Sequence, residues 1–147
     1  MAITASGIYG LSLEKMMIDT LGESLEAEDN KVALVSDSYT PNFDTHDFFA
    51  DLTNEVTGTN WASGGVALTG TEITLSSGVL TFDATDVSVA STTISSAMAA
   101  VLYTNVGSGA TDQLILLSDF VNAVSTSAGT FGIAWSASGI LTLDYTP

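Results

Sequence analysis

Apolar residues recur at helical spacing only in the first third of the chain. Over Leu11–Leu21, positions Leu13, Met16, Met17 and Leu21 fall on one face, Ser12 stands where a cap is needed and Gly22 where a helix stops. The spacing predicts a second short helix from Thr45 to Val56: Phe48, Leu52 and Glu55/Val56 lie on adjacent turns, Asp44 or Thr45 caps the amides, and Gly58 ends it. Between the two, Lys31-Val-Ala-Leu-Val-Ser36 is an apolar run bounded by Asn30 and Asp37 and reads as a strand. A proline-containing loop follows it, Ser38-Tyr-Thr-Pro-Asn-Phe43.

The remaining two-thirds is a succession of strand signals. Glu72–Leu75 and Val79–Phe82 alternate about Ser76-Ser77-Gly78, as a hairpin does. Val87 and Val89 indicate a short strand; Met98–Val106 and Gln113–Phe120 are longer, and the second, nearly all apolar, is expected at the centre of a sheet. Phe131, Ile133 and Trp135 point one way from their strand, and Leu141, Leu143 and Tyr145 do so from the last, with Ser136-Ala-Ser-Gly139 as the turn between. Strands at this spacing with Gly/Ser turns predict an α+β fold that is mainly β: an antiparallel β-sandwich or barrel-like domain with one or two short N-terminal helices. Residues 1–10, small, polar and glycine-containing, read as an N-terminal arm, and residues 11–147 as a single β-rich domain.

The chain has 147 residues, enough for one ordinary domain that buries about two-thirds of its unfolded surface. Its charge changes the picture more than its length. Seventeen acids face two bases, Lys15 and Lys31, for a net −15, and 11 of the acids lie in residues 1–55. Phosphate neutralisation needs several Lys or Arg side chains, so nucleic acid is excluded as a partner, and an anionic membrane surface on the same ground. The acidity does not mean disorder, because 6 Phe, 4 Tyr, 2 Trp and long Val/Ile/Leu runs supply a core. No cysteine is present, so disulfides, thiolate metal sites and Cys nucleophiles are out. No stretch approaches a membrane span, and the N-terminus lacks a signal-peptide pattern, which predicts synthesis in a cytosol.

Candidate chemistry is sparse. The single histidine, His46, stands within Asp44-Thr-His-Asp47, raw material for a general base or metal site. The plainer reading is an exposed imidazole in the first turn of a helix, beside acids that favour that end of the dipole. Asp44, Asp47, Asp51 and Glu55 fall at helical spacing and Asp83 and Asp86 form a second pair, but no calcium-loop pattern is present and solvated acidic faces explain both. Gly64-Gly65 and Gly107-Ser-Gly109 lack the lysine and the strand–helix context of phosphate loops and read as turns. Trp61 and Trp135 are the only tryptophans for a sugar cleft, and Trp135 alternates with core positions. We therefore expect no catalytic residues, no metal and no cofactor.

A set of ordered landmarks says more. They run through Lys31-Val-Ala-Leu-Val35, Tyr39-Thr-Pro, His46-Asp-Phe48, Asn54-Glu-Val-Thr-Gly58 and Gly64-Gly-Val-Ala-Leu68. They continue through Val79-Leu-Thr-Phe-Asp-Ala-Thr-Asp-Val87, Ala100-Val-Leu-Tyr103, Asp119-Phe120, and Gly129-Thr-Phe-Gly-Ile-Ala-Trp135 leading to Gly139-Ile-Leu-Thr-Leu143. In these the chain resembles small virion structural proteins of long-tailed double-stranded DNA phages. It departs from that pattern at Val89, where an aromatic is common, and at Val121, where a glycine follows the Asp-Phe pair.

The resemblance implies a head decoration (cement) protein on the outside of the capsid, with the major capsid protein as partner and a homo-oligomer, a trimer, as the favoured state. A net −15 agrees with an outer position, away from packaged DNA, and requires contacts between copies to be apolar and Ser/Thr-rich. Ile3, Ile8 and Tyr9 are the expected exposed anchors of a capsid-docking arm. The alternatives are a fibre or host-surface module binding glycans through exposed Trp61 and Tyr103, another tail or head–tail component, or an enzyme built on His46.

Overall fold

Strand Lys31–Val35 does not alternate: its last four residues are all buried. Its place between two packed layers is the cause. The structure, a computed structural model, describes residues 3–146. In chain order the elements are β1 (Gly7–Ile8), α1 (Gly10–Met17), β2 (Lys31–Val35), a 3-10 turn (Phe49–Asp51), β3 (Glu55–Val56), β4 (Val66–Ala67), β5 (Glu72–Ser76), β6 (Val79–Asp83), β7 (Val87–Tyr103), β8 (Leu114–Ile133) and β9 (Leu141–Asp144).

The larger sheet has the order β1-β8-β7-β2-β3, with β4 also on β2; the smaller is β5-β6-β9. Every pairing is antiparallel. The fold is thus mainly β and sandwich-like, with one short helix. Val32 and Leu34 face the core between the sheets, where Trp61, Leu68, Phe82 and Phe131 pack. Ala33 and Val35 face the opposite layer, made by Ile3, Tyr9 and Tyr39 with Phe43, Phe49 and Leu52 against them. Coverage on both faces is what a continuous apolar run requires. Each fully buried Leu, Val or Phe contributes about 1.5–3 kcal/mol.

The short strand expected at Val87–Val89 and the longer one from Met98 are one strand, β7. It pairs along its length with β8, and register shifts fall between Val89 and Ala99. Ser91, Ser96, Val121 and Ala128 take positive φ in this stretch, the local irregularity that bulges bring. The turn at 136–139 is present, Gly139 N–H donating to the Ser136 carbonyl. It carries the chain across to the smaller sheet, where β9 pairs with β6.

Both helix expectations need correction. α1 stops at Met17, not Leu21, because Asp19 adopts φ 57° and the Thr20 N–H returns to the Lys15 carbonyl, the closure that usually employs glycine. Ser12 is not its cap: it is buried inside the first turn and its hydroxyl donates to the Leu114 carbonyl. The expected helix over Thr45–Val56 is a single 3-10 turn followed by β3. The amides a helix would use go elsewhere, Phe49 N–H to the Asp112 carbonyl and Ala50 N–H to that of Gly109.

The N-terminal arm is also overturned. Ile3 and Tyr9 are each 0% exposed, and Ile8 sits half-buried in β1, paired with Leu116. Apolar side chains this close to a sheet edge gain more by closing the core than by waiting in water. From Ile3 onward the segment belongs to the domain; Met1 and Ala2 of the expected arm, and Pro147, lie outside the described residues.

Candidate functional site

The acids at helical spacing do not form one face. Asp47 holds Lys15 Nζ at 2.7 Å through both carboxylate oxygens, the lysine also lying 4.3 Å from the centre of the Phe48 ring. Gln113 joins this group by donating to the Asp47 carbonyl at 2.6 Å. Asp51 turns back to accept the Asp47 and Phe48 amides at 2.8 and 2.9 Å, and these bonds, that of Phe48 foremost, hold its carboxyl below the usual range. Glu55 accepts from the Ser63 hydroxyl and the Gly64 amide. The second pair separates likewise: Asp83 accepts from the Ala84 amide and Asp86 from that of Trp135. Among the described residues no group of three metal-ligating side chains converges.

His46 is half-buried rather than exposed, and it stands in a turn rather than a helix. Its Nδ1 lies 2.8 Å from the Tyr39 hydroxyl, which lies 2.9 Å from that of Tyr9. Burial pushes both phenols upward, Tyr9 beyond any physiological titration. The chain of three polar groups runs into the layer faced by Ala33 and Val35, where it satisfies the two phenols. The loop 107–109 is closed by its own carboxylate: Asp112 accepts the amides of Val106, Gly107 and Ser108, so an anion cradle there is already filled.

The aromatics expected to bind glycans are in the interior. Trp61 is 0% exposed and packs edge-on against Phe131, while Tyr103 is buried with its hydroxyl on the Gly64 carbonyl. Burial raises the Tyr103 phenol, with the charges of Asp112 and Glu55 adding to it.

The surface feature that stands out is apolar. Cross-strand neighbours on one face of the smaller sheet make two rows, Ile73–Phe82–Leu141 and Leu75–Leu80–Leu143. Phe82 reaches the core, but Ile73, Leu75 and Leu143 remain exposed. α1 flanks this face with Leu13, Met16 and Met17, and a groove of about 870 Å³ lies between them. Met17 is 80% exposed, Leu75 67% and Leu143 59%. Of the ten large apolar side chains exposed among the described residues, seven come from 13–18, 73–75 and 143–145. Asp19 and Glu23 stand on the rim together with Lys15, whose charge is paired with Asp47. A second cleft of about 570 Å³, flanked by Asp119, Phe120 and Trp135, shares Ile8 and Leu141 with the groove.

Sequence reasoning placed the apolar anchors at Ile3, Ile8 and Tyr9, and of these only Ile8 lines the groove. Met17, Leu75 and Leu143 were legible as helix and strand positions. Their exposure was not, because it depends on how far α1 covers the small sheet. Comparison with protein-family models, with curated proteins and with solved structures finds no match. Among the described residues no helix is long and apolar enough to cross a membrane.

Proposed function

We propose that this chain is a virion structural protein of a long-tailed double-stranded DNA phage, a decoration protein that binds the outer surface of the head and stabilises it. The observation that carries the reading is the grouping of exposed apolar side chains at one groove, lined by Leu13, Met17, Ile73 and Leu143, on a strongly acidic domain. Contiguous apolar surface of this kind marks interaction sites. The landmarks shared with phage virion proteins supply the identity of the partner, the major capsid protein, and the groove takes over the docking role first assigned to the N-terminal residues.

The favoured trimer requires contacts that keep acids apart. The β7–β8 ribbon meets that requirement: from Phe120 to Leu143 there is no acidic residue, and Val121, Val124, Ser125 and Ser127 are exposed along it. With Trp61 and Tyr103 in the core, glycan binding loses the aromatics on which it was built. Imaging of intact particles tests the proposal. Hundreds of copies on the outer face of the head are expected; a handful at the tail, or none on the particle, would overturn it.

A further inference from the structure

We infer that the groove between α1 and the smaller sheet takes an apolar segment of a different polypeptide, one whose Leu- or Ile-like side chains are flanked by Lys or Arg. This rests on the reading of the chain as a binding protein and names the chemistry of what it binds.

Three occupants compete for such a surface. A second copy meets the groove through the same patch in a twofold pair, or through a different patch in a trimer. Either way two chains of net −15 approach each other, and the β7–β8 ribbon brings no lysine to pair with Asp19 and Glu23. Of the two lysines, Lys15 is bound to Asp47, and Lys31, at the start of β2, lies outside the groove lining. An anionic membrane meets the same repulsion.

A foreign segment with basic flanks meets none. Residues 14–29, which include the helix and the rim, hold six acids and one lysine. Two of those acids, Glu26 and Glu28, are turned onto the Ile73 and Gly70 amides, whereas Asp19 stays on the exposed rim. The apolar lining supplies affinity through Leu13, Met17, Ile73 and Leu143. The acidic border selects the sign of the flanks, the division of labour common at interfaces. The second cleft adjoins the groove across the shared Ile8 and Leu141.

The test uses the full chain, isotope-labelled, titrated with three synthetic peptides: a leucine-rich core flanked by lysines, the same core flanked by glutamates, and a serine core flanked by lysines. Amide shifts confined to 13–25, 73–75 and 141–145 are expected with the first. The glutamate and serine peptides should bind at least about tenfold more weakly, and added salt should weaken the first. Met17→Gln combined with Leu143→Asn makes two exposed positions polar without changing the charge, and should lower affinity at least about tenfold with an unaltered melting midpoint.

Equal binding by all three peptides would overturn the inference. So would unchanged binding by the double variant, shifts in these residues on self-association, or uptake onto zwitterionic vesicles in place of the peptide. Empty shells separate it from the decoration reading. If the double variant still coats shells, the groove assignment falls and decoration stands; if the unmodified chain ignores shells yet binds the lysine-flanked peptide, the reverse holds.

Discussion

The hydroxyl of Tyr9 lies 2.9 Å from that of Tyr39, 30 residues away, inside the layer that closes the outer face of the larger sheet. Burial is the first cause of the raised pKa of both phenols. Folded, they stay protonated at a pH where the unfolded chain releases their protons at the ordinary value of 10.0. Above that pH the unfolded state binds fewer protons, so stability present below it is lost as pH rises. We expect the denaturation midpoint to hold up to pH 10 and fall above it, and Tyr9→Phe to make that fall shallower. Chemical denaturation at stepped alkaline pH measures both, and equal slopes would refute the assignment.

Ile3 is fully buried in the same layer. Ile3→Ala should cost about 2–5 kcal/mol, the range for truncating a core isoleucine. Removal of residues 1–9 should be worse, since β1 and Tyr9 go with them. Thermal melts decide: a detachable arm would leave the midpoint where it was.

Val121 has φ 66° and is 66% exposed. A β-branched residue is strained in that region, and Val121→Gly should stabilise the chain by up to about 1 kcal/mol after glycine's extra unfolded-state entropy is set against the relief. Gly65 is the converse case. It has φ +68°, and a Cβ there would lie 1.9 Å from the Val32 carbonyl oxygen. Gly65→Ala should lose at least about 2 kcal/mol. Paired urea titrations should move the two midpoints in opposite directions.

Asp51 accepts two backbone amides and its carboxyl is held below the ordinary 3.8. A depressed carboxylate contributes stability above its unfolded pKa and loses it as pH falls through the folded one. Because Asp51 is exposed and its charge screened by solvent, Asp51→Ala should cost no more than about 1 kcal/mol at neutral pH. The gap between variant and parent should close as pH drops below 3.8. A gap that persists at the acid end would assign the effect to packing.

Local pattern revealed the β class, β2, the β5–β6 hairpin and the last strand, because each depends on alternation and on the turn residues beside it. It failed where distant parts competed for the same groups. Thr45–Val56 has helical spacing, yet the carbonyls of Gly109 and Asp112, about sixty residues on, take its amides. Ile3 and Tyr9 looked exposed because nothing nearby in the chain announces the layer they complete with Tyr39. The groove was hidden for the same reason: Leu143 and Met17 are far apart in sequence and come to line one cavity only through the fold.

The scarcity of basic side chains has a practical consequence. Trypsin has only the bonds after Lys15 and Lys31 to attack. The first follows a residue in α1 clamped by Asp47, and the second opens β2, whose backbone is paired with β4 and β7 on either side. A protease needs an unwound stretch in its cleft, so digestion of this molecule should proceed no faster than the domain comes apart, which makes the enzyme a clock for opening.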